Sequence, residues 1–269
     1  MCTTGALRTD TGYLLFKNKD FGRVSFEDLL VVEQDVFGIA GVETWAGTDP
    51  DLDRFSGFSL GANRHGLLCC DSNVRTVPGL NYDRLTEIAL REGTDVRSGV
   101  EAVERAMRRD PYIWANLVMI DEHELATVEV RGQELKATYQ GDDRIARSNH
   151  HVELGATPDD DDTVTTVPRL RSASRRIREA SDLPEIFRLQ ESHDDGDSGI
   201  CNHTSYDTVY SYVFERLADS TILHVTQGKP CQNPQRLALR LPFGSDWNPA
   251  AADSLRDAYP STRQPLPIA

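Results

Sequence analysis

Short apolar blocks separated by turn residues fill the first part of the chain. Residues 3–7 and 13–16 flank the spacer Arg8-Thr9-Asp10-Thr11-Gly12, which predicts a β-hairpin at the start of the sequence. Residues 29–34 predict a further strand, and the Gly- and Asp-rich stretch from there through Phe55 reads as loop. Residues 57–62 and 66–71 predict two strands joined by a tight turn around Asn63-Arg64-His65-Gly66. After Pro78-Gly79 the spacing becomes helical. Leu85, Ile88 and Ala89 share one face of residues 82–92, and Val100, Val103 and Met107 share one face of residues 96–108. Strand character returns at 113–120, 126–130, 134–139 and 144–148. An acidic loop around Asp159 to Asp162 leads to Pro168, which predicts the start of an Arg-rich helix reaching Ala180, and residues 183–191 predict another helix. The last strands fall at 208–216, 221–226 and 236–241, and a Pro-rich tail from Trp247 is expected to pack loosely. Such blocks predict an α+β fold, with two mainly antiparallel sheets face to face and helices outside, in one domain over residues 1–269.

Charge and composition narrow the function. The formal net charge is −14, from 43 acidic against 29 basic residues, which argues against a nucleic-acid partner. Only Lys17, Lys19, Lys136 and Lys229 are lysines, and the acidic excess suggests a surface kept hydrated in concentrated salt, the habit of a halophile. No stretch reaches the roughly 20 apolar residues of a membrane span, and no basic-then-apolar leader opens the chain, so no membrane partner and a cytoplasmic location are expected. Self-association stays open. Five cysteines, Cys2, Cys69, Cys70, Cys201 and Cys231, include an adjacent pair and an odd number, which speaks against a disulfide framework. They show no paired metal-ligand spacing, so neither a metal nor an organic cofactor is expected.

The chemistry concentrates at Met1-Cys2-Thr3. Removal of Met1 would place a thiol and a free α-amine on one residue. Their ordinary pKa values, near 8.5 and about 8, let the neutral amine take the thiol proton at neutral pH. Nucleophile and base then come from a single amino acid.

Further motifs follow in order: Phe16-Lys17-Asn18-Lys19-Asp20-Phe21, Gly61-Ala62-Asn63-Arg64-His65-Gly66-Leu67, Asn73, Arg147-Ser148-Asn149-His150 and Ser172-Ala173-Ser174-Arg175. Together with the opening cysteine, this series resembles the N-terminal-nucleophile (Ntn) cysteine hydrolases of the choloylglycine hydrolase, penicillin V acylase and isopenicillin-N acyltransferase superfamily. The segments Ser198 to His203 and Gly228 to Cys231 resemble the acyltransferase-like branch more closely.

The resemblance implies a four-layer αββα sandwich and an enzyme acting on the carbon–nitrogen bond of a small-molecule N-acyl amide. Conjugated bile salts, phenoxyacyl penicillins and acyl-homoserine lactones are among the superfamily's substrates. It implies Cys2 as nucleophile and Asp20 as the acceptor that orients the Cys2 amine. Asn149, with Asn73 near it, becomes the oxyanion donor, and Arg175 and Lys17 the cations near the thiol. Lys17 stands where the bile-salt enzymes generally have arginine, a point charge in place of a planar fork. Hydrolysis is the first expectation and transfer to an amine acceptor the second. Two rivals differ in class: a thiol-redox or metal-binding protein using Cys69, Cys70 and the histidines, and a non-catalytic binding module. Read without the resemblance, Asn63 is a turn residue, Lys17 and Asp20 form a solvated ion pair, Arg175 belongs to a solvated helix face, and His150 and His151 are loop or core histidines.

Overall fold

The computed structural model describes residues 1–22, 26–43, 54–155, 160–194, 196–204 and 206–261. The opening hairpin forms as β1 (Cys2–Thr9) and β2 (Gly12–Phe21), joined by a two-residue turn and paired Cys2 to Lys19 through Thr9 to Gly12. It sits inside a six-stranded sheet with β10 (Arg144–Arg147), β11 (Asp207–Leu217), β12 (Ser220–Gln227) and β13 (Leu237–Arg240). The order is β10-β1-β2-β11-β12-β13, so the chain's first strand has a partner on each side. A seven-stranded sheet holds β3 (Leu30–Val32), β4 (Val36–Val42), β5 (Phe55–Asn63), β6 (Leu68–Arg75), β7 (Tyr112–Ile120), β8 (Leu125–Gly132) and β9 (Glu134–Tyr139) in sequence order. The strand pairings in both sheets are antiparallel, apart from one isolated parallel bridge between Leu80 and Tyr112.

Strand alternation turns each sheet into two apolar faces. Ala6, Leu15, Tyr212 and Phe214 of one sheet meet Phe37, Leu60, Cys70 and Val118 of the other in the central core. The outer face of the seven-stranded sheet packs on α1 (Asp83–Glu92) and α2 (Val96–Met107) through Cys69, Leu85, Val100 and Met119. The outer face of the six-stranded sheet packs on α3 (Asp160–Glu179) and α4 (Leu183–Gln190) through Leu14, Phe16, Ala173 and Ile186. These layers are the two facing sheets with outer helices that the pattern predicts, and the αββα sandwich that the resemblance implies.

Three expectations change. The stretch read as loop before Phe55 contains β4, whose residues are all buried; Gly38 and Gly41 mask a continuous apolar strand. Helix α3 starts at Asp160 and carries Pro168 inside it, so the proline does not open the helix and of the acidic run only Asp159 lies outside the described residues. The tail expected to pack loosely is helical and packed as far as Tyr259, and residues 262–269 lie outside the described residues. It forms α5 (Pro249–Ala258), with Asn248 capping the Ala251 amide and proline at the first helical position. Ala252, Leu255 and Tyr259 enter the central core.

That tail is also fastened by a buried polar knot. Asp28 accepts hydrogen bonds from Tyr212 and Tyr259 hydroxyls, each at 2.7 Å, and pairs with Lys19 Nζ at 2.9 Å. Tyr259→Phe removes one bond to a buried carboxylate while keeping the ring. It is expected to lower stability by about 1–3 kcal/mol, read as a lower urea midpoint with an unchanged slope.

Candidate active site

The β1–β2 pairing puts Cys2 beside the end of β2, and the segment just past β10 supplies Asn149 from the other side. The Cys2 backbone N–H donates to Asn149 Oδ1 at 2.8 Å. Asn149 Nδ2 donates to the carbonyl of Asn73, on β6 of the facing sheet, at 2.6 Å. Asn73 Nδ2 is buried and has no hydrogen-bond partner among the described residues. Met1 is strapped to the backbone of Asp20: its amine donates to the Asp20 carbonyl at 3.2 Å, and the Asp20 amide donates to the Met1 carbonyl at 2.8 Å.

Asp20 is buried, and so are its neighbours. Thr208, paired with Asp20 just before a β-bulge in β11, donates through Oγ1 to Asp20 Oδ1 at 2.7 Å. Asp20 Oδ2 has no hydrogen-bond partner among the described residues and lies 3.8 Å from Arg169 Nη1. Burial raises the Asp20 pKa to about 6, against the pull of the N-terminal ammonium, Arg169 and Thr208.

Arg169 is the residue that the sequence reading missed. On α3, with no exposed surface, it donates to the Cys2 carbonyl and to Asn149 Oδ1, each at 2.8 Å, and to Thr3 Oγ1 at 3.3 Å. Arg175, which the motif match favoured, is not in the site. It is more than half exposed and pairs with Asp194, as does Arg176. The signal for choosing among these arginines was present: Arg169 is four and eight residues before Ala173 and Ile177, the apolar stripe of α3, and Arg175 is off that stripe.

Lys17 and Asp20 do not form a solvated ion pair. Both are buried, and they bond to different partners. Lys17 Nζ donates to Ser59 Oγ at 2.6 Å, Ser59 O at 3.0 Å and Asp71 Oδ1 at 2.9 Å. Burial works against its charge, but Asp71, and the Cys2 thiol beside it, raise its pKa overall. Asp71 also accepts from Thr86 Oγ1 at 2.8 Å. Next to it, burial and the Asp71 carboxylate push Asp83 well above the usual carboxylate range. Asp83 can approach because Gly41 and Gly57 have no side chains. A Cβ at Gly41 would lie 2.0 Å from the Asp83 carboxyl carbon, and one at Gly57, where φ is +68°, 2.2 Å from the Asp83 backbone.

Cys2, Lys17, Lys19, Asp20, Phe21, Val42, Ser59, Tyr82 and Asp83 line one recess, with room for about two waters. The structure thus gathers Cys2, Lys17, Asp20, Asn73 and Asn149, and leaves Arg175 outside. Asn63 is a turn residue: its Oδ1 accepts from the His65 and Leu67 amides, and its Nδ2 donates to the Leu90 and Gly93 carbonyls. His151 is buried and its Nε2 lies 3.2 Å from the Ala115 carbonyl, a core histidine. Cys69 and Cys70 are fully buried, belong to the outer and central cores respectively, and have thiol pKa values raised by burial. Adjacent residues of a strand point to opposite faces, so these two do not form a shared thiol site.

No protein-family model matches the sequence, and no curated protein matches it. Among solved structures, the chain resembles a variant of conjugated bile acid hydrolase from Clostridium perfringens at 14% identity and a TM-score of 0.57, covering 90% of this chain and 92% of that one. It resembles the Caenorhabditis elegans N-acylethanolamine-hydrolyzing acid amidase ortholog at 13% identity and 0.51, covering 79% and 92%. It also resembles penicillin V acylase from Agrobacterium tumefaciens at 12% identity and 0.51, covering 84% and 83%. The shared architecture is the Ntn-hydrolase sandwich.

Arg169→Gln would leave Asp20 and the Cys2 carbonyl without their buried cation. It is expected to cost about 3–5 kcal/mol in a denaturant titration, whereas Arg175→Ala on the surface should stay within about 0.5 kcal/mol.

Proposed function

We propose that the chain is a linear-amide C–N hydrolase that cleaves a small-molecule N-acyl amide through a Cys2 thioester after loss of Met1. The observation that carries this reading is the setting of the Cys2 nitrogen. It is held by Asn149 at the edge of a recess, beside a buried carboxylate with one oxygen free of hydrogen bonds among the described residues and a buried cation. The fold-level likeness to a bile acid hydrolase, an N-acylethanolamine-hydrolyzing amidase and a penicillin acylase supports the same reaction class.

The steps follow from the geometry. Without Met1, the strap to the Asp20 backbone is gone and the Cys2 nitrogen becomes an amine, still facing Asn149 Oδ1 and near the Asp20 carboxylate, whose Oδ2 accepts no hydrogen bond among the described residues. The amine takes the thiol proton, and Sγ attacks the substrate carbonyl with Lys17 as the cation beside the developing charge. A C–S bond forms and the carbonyl oxygen becomes an oxyanion. Asn73 Nδ2, buried and unpartnered, is the donor available to it. Asn149, whose amide is already engaged at both ends, positions Cys2 and Asn73. One such donor typically contributes about 10²–10³ in turnover. The Cys2 ammonium then returns its proton to the leaving amine as the C–N bond breaks, and water, activated by the same amine, hydrolyses the thioester. Among the described residues no helix is long and apolar enough to cross a membrane, and the acidic composition suits a protein working in concentrated salt.

Screening N-acyl amides against wild type and Cys2→Ser tests the assignment. The variant is expected to keep the wild-type circular dichroism spectrum and lose turnover by about 10³-fold or more; undiminished turnover defeats it. A pH profile tests Asp20. Its acid form predominates below a pKa of about 6, and only the ionised form can hold the Cys2 ammonium. Activity is therefore expected to rise with pH through that region, and Asp20→Asn should lower activity and abolish that limb.

A further inference from the structure

A second group of reactive side chains lies apart from the recess. Residues 191–206, between α4 and β11, contain only a single turn of 3-10 helix at Gly196–Ser198 among the described residues. Backbone bonds fold this segment back on itself: the Cys201 amide donates to the Ser192 carbonyl at 3.1 Å, and the His203 amide to the Asp197 carbonyl at 2.7 Å. His193, Cys201 and His203 are thereby brought together. The turn after β12 adds Cys231, steadied by the Lys229–Asp207 ion pair at 3.0 Å and by the Gln232 and Asn233 amides, which donate to the Lys229 carbonyl.

One donor atom from each of His193, Cys201, His203 and Cys231 lies within 4.8 Å of all the others. Cys201 Sγ is 3.4 Å from Cys231 Sγ and 3.6 Å from His203 Nε2, and His203 Nε2 is 3.2 Å from Cys231 Sγ. A tetrahedral zinc ion with Zn–S of about 2.3 Å and Zn–N of about 2.0–2.1 Å has ligand–ligand edges of about 3.3–3.8 Å. The three edges among Cys201, His203 and Cys231 lie within about 0.4 Å of these values, and His193 offers its ligand atom within 4.8 Å of all three. We propose that His193, Cys201, His203 and Cys231 form a structural zinc site that cross-links the 191–206 segment to the turn after β12.

Two thiolates and two neutral imidazoles suit zinc, a borderline-soft ion, and leave no open position for a reacting water. Binding releases the protons of both thiols to solvent and needs no oxidant. The ion's consequence for the recess runs through Asn202, which lies between two of the ligands. Its backbone amide donates to Thr208 Oγ1 at 2.9 Å, and that hydroxyl donates to Asp20 Oδ1 at 2.7 Å. The cross-link would thus fix the loop that holds Asp20 in place. The sequence showed no zinc spacing because the ligands come from separate segments, at 193, 201–203 and 231.

The test reads metal content and does not depend on any catalytic activity. The full chain, purified under reductant, is expected to carry about one zinc per molecule by elemental mass spectrometry. Replacement with cobalt(II) should give the intense ligand-field and thiolate-to-metal absorption of a tetrahedral sulfur–nitrogen site. His203→Ala and Cys231→Ser should each lower bound zinc at least about tenfold. Cys69→Ala and Cys2→Ser should both retain it, the latter showing that the zinc is not held by the N-terminal cysteine, itself a metal chelator. Three results would overturn the proposal. These are failure of the reduced wild-type protein to bind added zinc or to give the cobalt thiolate band, unchanged zinc in His203→Ala and Cys231→Ser, or a Cys201–Cys231 disulfide in protein kept under reductant.

Discussion

The site depends on one buried guanidinium. Arg169 reaches the Cys2 carbonyl, Asn149 Oδ1 and the neighbourhood of Asp20 at once, and it does so with no exposed surface. A charge so far from water is tolerated only where fixed acceptors replace its hydration, and here they come from three separate strands or their ends. The arrangement is possible because β1 is an interior strand. A chain terminus at a sheet edge would have a partner on one side only. Here Asp20, at the end of β2, flanks Cys2 on one side and Asn149, just past β10, on the other, and α3 lies across both.

A second charge cluster shapes the opposite wall. Lys17, Asp71 and Asp83 are buried together, where one cation and two ionised carboxylates would carry an excess negative charge. Burial and the neighbouring Asp71 carboxylate raise the Asp83 pKa well above the usual carboxylate range, which favours its neutral form, and Lys17 pairs with Asp71. Lys17, its pKa raised by Asp71 and Cys2, is therefore the cation next to the Cys2 sulfur. Gly41 and Gly57 bear on this indirectly, since any side chain at either position would drive Asp83 and the start of α1 away.

Local pattern carried most of the architecture. The alternation in the opening hairpin, the heptad-like stripes of α1 and α2, and the short strands from Tyr112 onward are each signalled within a few residues. The misses have particular causes. Gly38 and Gly41 made β4 resemble a loop, and Pro249 made α5 resemble a tail although Asn248-Pro249 is a helix-start signal. In the site, Cys2, Lys17, Asp20, Asn73 and Asn149 could be singled out because their short motifs keep a familiar order. Arg169 could not be found by motif matching, because its role is defined by its position on α3's inner face. Tyr82 and Asp83 enter the recess, and Asp71 pairs with Lys17, through long-range packing, and single-sequence reading has no access to that.

The central claim is that the mature chain uses the thiol and α-amine of Cys2 as one reactive unit. Peptide-resolved mass spectrometry of the active protein after treatment with a β-lactone acylating probe tests this most directly. The account predicts an N-terminal peptide that begins at Cys2 and carries one acyl adduct on that residue. Active protein that retains Met1, or an adduct found only on another residue, would contradict it.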